Sequence, residues 1–281
     1  ESTDALNWEK PLRDDCLPYQ EYRATNIVHP DVSQTGLVLN HDRRDPAHKF
    51  LLLNWPPQRA RQRPAGSPRL SQVDASPDGL HWHTISEEAH FPHHHEQKIF
   101  WDATIQKWVG YSQYSHHQNF LYRKRQIGRQ ESADFINWSP KEVVLSADWD
   151  PNLPPHLEMH DMSVRKVGGL YIGITGEFMA EPFWQERNGH NWRDQAFCRL
   201  GLYTSRDGRR WQRVGGPGPW VANGPPGSQD YGFACFTAGL LVHNGRMIIP
   251  YSGNPQKQNW LARTPPTPVY PADAFARQQQ A

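Results

Sequence analysis

The chain has 281 residues, enough for one large core, and 30 Lys and Arg against 29 Asp and Glu leave a net charge of +1. That balance gives no electrostatic reason to expect nucleic acid or a membrane surface as partner, and no apolar stretch reaches membrane-spanning length. Twelve Trp and 25 Pro without sustained helical periodicity point to short strands joined by Pro-rich loops, apart from a weak helical pattern around Ala272 to Gln280.

The chain opens on a phrase, Ser-x-Asp-x-x-x-Trp, formed by Ser2, Asp4 and Trp8. It returns at Ser76/Asp78/Trp82, Ser132/Asp134/Trp138 and Ser205/Asp207/Trp211. Gly79 and Gly208 follow the Asp in two copies, so each phrase reads as a tight turn leading to a strand marked by Trp. Ser and Asp side chains bond their own backbone two residues on, and Gly supplies a positive φ. The Trp then buries a large apolar surface. Four copies in order mark a modular array.

Hairpins alternate with these turns. The first runs from Thr35–Leu39 to Lys49–Leu53, the second from Lys98–Asp102 to Lys107–Ser112. The third runs from Ser163–Arg165 to Gly169–Ile174, and the fourth from Gly239–Val242 to Gly245–Gly253. Each pairs a short apolar strand with a β-branched or aromatic one across a polar or Gly-containing turn. A hairpin plus a turn-and-Trp strand makes one four-stranded unit, with long loops between strands. The chain therefore reads as one domain of stacked units: 1–12 the end of a blade, 20–90, 93–145 and 158–215 full blades, 230–260 an inner half-blade, and 261–281 a tail. The two half-blades suggest either a piece of a longer sequence or a ring closed by its two ends.

The lines Glu1–Pro11, Arg44–Phe50, Phe100–Asp102 with Lys107–Tyr111, and Tyr203–Trp211 resemble the five-bladed β-propeller glycoside hydrolases of families 32, 43, 68 and 117. The Ser-x-Asp-Gly-x-x-Trp form is also similar to the sialidase Asp-box with one residue removed. The resemblance implies an all-β, five-bladed propeller with its active site at one mouth of the central channel. It implies a carbohydrate substrate cleaved by carboxylates projected from the inner strands: a base or nucleophile, a general acid and one that tunes the acid. Glycosidic cleavage needs one protonated carboxyl at the leaving oxygen and one ionised carboxylate across the ring. In such enzymes the base commonly sits on the first inner strand, and this sequence begins after it. A non-catalytic propeller that binds glycan or protein is the alternative.

Within that frame the entries to the inner hairpins carry the candidates. Glu158, Asp161 and Glu96 are the expected catalytic carboxylates, and His95, His160, Asn26, Arg165, Asp230 and Tyr231 the expected substrate-binding residues. Glu177 is expected past the second strand of its hairpin, facing a loop beside the aromatics Phe178, Phe183 and Trp184. Asp45, before Pro46, reads as a turn former. The cluster Arg59, Arg61, Arg63 and Arg69 reads as a solvated loop.

No metal or cofactor is expected. His93 to His95 on a regular strand alternate faces and cannot share one ion, and no HExxH or CxxC frame accompanies them. A central calcium, as in several relatives, is the one cation the resemblance allows. Cys16, Cys198 and Cys235 cannot all pair with one another and read as idle buried thiols. The compartment stays open, with a secreted or periplasmic one favoured.

Overall fold

The computed structural model describes residues 3, 7–30, 32, 36–42, 44–55, 71–89, 91, 98–118, 122–154, 157–179, 197–235 and 239–255. Among them helix is confined to two 3-10 turns, Pro46–His48 and Ala147–Trp149. The remainder is antiparallel sheet and loop, save for one parallel contact.

Three sheets follow one another along the chain. The first is β1 (Gly36–Leu39), β2 (Phe50–Asn54), β3 (Ser71–Ser76) and β4 (His83–Ala89). The second is β5 (Lys98–Asp102), β6 (Lys107–Gln118), β7 (Tyr122–Ser132) and β8 (Glu142–Leu145). The third holds β9 (Leu157–Val167), β10 (Leu170–Met179), β11 (Phe197–Ser205) and β12 (Gln212–Arg213). Each is an antiparallel meander in chain order, the connection that local hairpins dictate. The third sheet is extended by β13 (Phe233–Cys235), parallel to β11 through Cys198↔Phe233, and then by β16 (Ser252–Asn254). Between them β14 (Leu241–His243) and β15 (Arg246–Ile248) form a separate hairpin.

The Ser-x-Asp phrases connect the third and fourth strands of each sheet. In the first, Ser76 Oγ accepts from the amides of Asp78 and Gly79, and Asp78 Oδ1 accepts from those of Leu80 and His81. Trp82 Nε1 then donates to Gly79 O. Ser132, Asp134 and Trp138 reproduce this bond for bond, and Ser205 with Asp207 repeats the backbone part. The residue after the Asp has a φ of 84° at Gly79, 70° at Gly208 and 68° at Phe135. Phe135 thus occupies a left-handed position that glycine fills in its two sister turns. Ser2 and Asp4 of the first phrase lie outside the described residues, and its Trp8 is exposed.

The sheets pack face to face. One core joins the first and second through Leu51, Leu53 and Val73 against Trp108, Phe135 and Trp138, and a second joins the second and third through Val109, Ile127 and Leu145 against Leu157, Met159 and Tyr203. The opening strands lie side by side in succession, β1 against β5 and β5 against β9. Four-stranded meanders stacked by their faces with first strands adjacent are propeller geometry. Turn residues lock neighbours together: Tyr111 Oη donates to Gly208 O at 2.7 Å, and Arg209 reaches Glu131 at 2.6 Å and Glu142 at 3.1 Å.

Candidate functional site

Strand β9 carries three of the residues expected from sequence, Glu158, His160 and Asp161. Opposite β10, Met162 pairs with Thr175 and Met159 with Glu177, so His160 and Asp161 together face the single residue Gly176. That is a β-bulge, in which two residues oppose one and the normal alternation of faces slips. The slip turns Asp161 to the same side as Glu158 and His160. Gly176 makes room for it: a Cβ there would collide with Asp161 Oδ1 and Cys235 Sγ.

Glu158 and Asp161 are each 1% exposed. Glu158 Oε2 lies 3.6 Å from Arg125 Nη1 on β7, and the Arg125 guanidinium stands 4.5 Å above the Phe178 ring. His160 Nδ1 is 3.8 Å from Asp161 Oδ1, and Cys235 Sγ donates to the same oxygen at 3.3 Å. Gln113 Nε2 on β6 donates to His160 O at 3.0 Å and ties the bulge to the second sheet. Cys198 belongs to the same buried cluster as Cys235, and burial pushes its thiol above the ordinary range. Two carboxylates, a guanidinium, an imidazole and two thiols are therefore gathered in a buried cluster, where each charge interacts more strongly than in water.

Of the residues expected from sequence, Glu158, His160 and Asp161 come together here. Glu96 and His95, with His93 and His94, lie outside the described residues, as do Phe183, Trp184, the basic cluster at Arg59 to Arg69, and the tail pattern at Ala272. Arg165 points elsewhere and donates to Leu240 O at 2.7 Å. Asp230 sits in a turn, accepting from Ser228 at 2.8 Å and Tyr251 at 2.9 Å; those two bonds hold its carboxyl below the usual range. Tyr231 packs edge-on against Phe197 at a ring separation of 6.0 Å, one residue from Cys198. Asn26 is half-buried before β1, and the nearby His29 Nε2 lies 3.2 Å from Asp74 Oδ2. Asp45 lies in its turn, with His48 Nδ1 at 2.7 Å.

Glu177 corrects the expectation. It lies within β10 rather than in a loop and is fully buried, held by Arg213 at 2.6 Å, Arg199 at 3.1 Å and Tyr203 Oη at 3.0 Å. Its register, opposite Met159, puts it on the other face from Glu158, which pairs with Phe178. Sequence alone does not single out Arg125 and reads Cys198 and Cys235 as idle buried thiols, because all three are brought in from other strands. The available signal was Gly176, an isolated glycine inside a strand pattern, which marks a bulge or a close approach.

A separate cleft of about 530 Å³ opens on the first sheet, lined by Pro46, Ala47, Pro77, His81, Trp82 and His83. Among the described residues no helix is long and apolar enough to cross a membrane.

No family model matches the sequence, and no curated protein matches it. Solved glycoside hydrolase structures do resemble it. One described only as a glycoside hydrolase has 13% identity and a TM-score of 0.48 over 88% of this chain and 66% of that one. A sucrose-6-phosphate hydrolase from Lactobacillus gasseri has 13% identity and a TM-score of 0.48, with 80% of this chain and 42% of that one covered. The alpha-L-arabinofuranosidase from Lactobacillus brevis has 12% identity and a TM-score of 0.50, covering 79% of this chain and 63% of that one. The chain thus spans between 42% and 66% of the length of these three structures. Its all-β fold is similar to that of the arabinofuranosidase, a glycosidase like those its repeated phrases resemble.

Proposed function

We propose that this chain is a five-bladed propeller glycoside hydrolase that cleaves a glycosidic bond of an oligo- or polysaccharide with carboxylates at the mouth of its channel. The observation that carries the reading is Glu158 and Asp161, both buried and turned to one face of β9 by the bulge. Structural ion pairs account for Glu177, whose oxygens are saturated by Arg213, Arg199 and Tyr203. They do not account as well for Asp161, whose Oδ2 is buried with no hydrogen-bond partner among the described residues.

In this reading Glu158 is the general acid. Its carboxyl gives a proton to the departing glycosidic oxygen, and the Arg125 guanidinium, 3.6 Å away, stabilises the carboxylate that forms. Asp161 sets the field around it. Glu96, two residues ahead of β5 in the sequence, is the candidate partner across the sugar ring, since β5 runs beside β9. His95, His160, Asn26, Asp230 and Tyr231 are the proposed contacts to sugar hydroxyls and faces, with Arg165 engaged instead by Leu240 O.

The test is Glu158→Gln, assayed on aryl-glycosides and on a panel of plant and algal oligosaccharides. The expected result is a fall in kcat of roughly 10²- to 10⁴-fold, with sugar binding and thermal stability close to wild type. Undiminished turnover by that variant removes Glu158 from the mechanism.

A second reading, glycan binding without turnover, is favoured by the cleft beside Trp82, whose proline and indole surfaces suit a sugar face. Binding that survives Glu158→Gln but is lost in Trp82→Ala, with no sugar released by wild type, supports it.

A further inference from the structure

We infer that His160, Asp161 and Cys235 form a binding site for a thiophilic divalent metal ion of the zinc type. The inference shares His160 and Asp161 with the glycosidase reading but concerns metal binding alone, and is tested without sugar. Donor atoms of His160, Asp161 and Cys235 all lie within 4.8 Å of one another, and all three residues are buried. Zinc bonds of 2.0–2.3 Å in a tetrahedron set neighbouring donors about 3.5 Å apart. The observed separations, 3.3 Å from Cys235 Sγ to Asp161 Oδ1 and 3.8 Å from His160 Nδ1 to that oxygen, bracket this value. Cys198 is buried on the same side of Gly176, outside this set of donors.

Two further features point to a ligand. Asp161 Oδ2 is buried without a hydrogen-bond partner among the described residues, and an unmatched buried acceptor is costly unless something occupies it. The bulge is the second. It aims consecutive residues, His160 and Asp161, at one point, which a regular strand cannot do. A mixed sulfur, nitrogen and oxygen set selects zinc or cobalt over calcium and magnesium, which take oxygen donors. A disulfide is the poorer use of the thiols: Cys198 is level with Phe233, so Cys235 lies two residues further along its strand. That offset sets the Cα atoms about 8 Å apart, beyond the reach of a disulfide. On binding, the Cys235 thiol gives its proton to solvent and coordinates as thiolate.

The probes are Co²⁺ and Zn²⁺ added to metal-free, reduced protein. One equivalent of Co²⁺ should produce thiolate-to-cobalt charge-transfer absorption and tetrahedral d–d bands, and Zn²⁺ should displace it. Cys235→Ser should abolish the thiolate band and Asp161→Asn should weaken Co²⁺ binding more than about tenfold, whereas Cys16→Ser should leave both unchanged. Wild-type protein gives a reading that needs no folded variant: its Tm should rise with Zn²⁺ and level off at one equivalent. Absence of a thiolate band, or a band unchanged in Cys235→Ser, overturns the site. Because no sugar enters the measurement, its failure leaves the glycosidase reading intact, and inactivity towards sugars leaves the metal site intact.

Discussion

Phe135 carries two opposed terms in one residue. Its φ of 68° costs roughly 1–2 kcal/mol for a non-glycine residue. Against that, its ring is 1% exposed and meets Trp108 at 5.0 Å and Trp138 at 5.8 Å, all edge-on. Emptying such a site costs about 3–5 kcal/mol, so packing wins over strain. Phe135→Gly should therefore destabilise the fold by about 2–3 kcal/mol net, read from denaturant unfolding; a neutral or stabilising outcome would show that the strain dominates. The same position shows what a sequence discloses. Ser132, Asp134 and Trp138 announce the turn outright, because side-chain oxygens two and three residues from backbone amides dictate it. Glu158, Asp161 and His160 were also visible as polar residues at a strand entry. Their shared orientation was not, since it depends on a register slip against Gly176 rather than on any local preference.

At the scale of the strand, β10 separates two acidic sites by its alternation. On one face Glu177 meets two arginines and a tyrosine; on the other Gly176 and Phe178 lie against Asp161 and Glu158. The first arrangement is a completed ion-pair network. Glu177→Gln removes the charge that balances Arg199 and Arg213, and breaking a buried pair costs about 3–5 kcal/mol. The expected variant is strongly destabilised, measured as a drop in Tm, and its residual activity per folded molecule stays near wild type. Equal stability with lost turnover would move Glu177 into the chemistry. From sequence alone Glu177 reads as loop-facing, because the span from Ile172 to Met179 gives no local clue to which face the ladder presents to which neighbour. Hairpins were legible for the opposite reason: turn glycines and alternating apolar residues are local, and β5–β6 and β9–β10 fall where those signals place them.

Across the whole molecule, charged side chains bridge the sheets at their turns. Glu131 on β7 accepts from Lys107 at 3.0 Å and from Arg209 of the third sheet at 2.6 Å, and Arg129 joins them. Burial alone would raise its carboxyl, but bonds from these three cations outweigh that and hold it at about 2, against 4.5 ordinarily. A depressed carboxylate stabilises the fold above its unfolded value and ceases to do so as pH falls through the folded one. Glu131→Gln should accordingly melt earlier than wild type at pH 7, and the two curves should converge as pH drops from 4.5 to about 2. A gap that persists at the acid end would mean the loss is one of packing rather than charge. The join between β11 and β13 is of another kind. It rests on one register pair, a long amide bond of 3.4 Å from Cys198 to Gly232 O, and the Asn223 side chain spanning Cys198 O and Asp230 O. Yet through Cys235 this thin seam closes one wall around Asp161. Sub-global opening follows the weakest backbone ladder, so peeling β13 away would bring water to the buried acidic cluster while leaving all three meanders zipped.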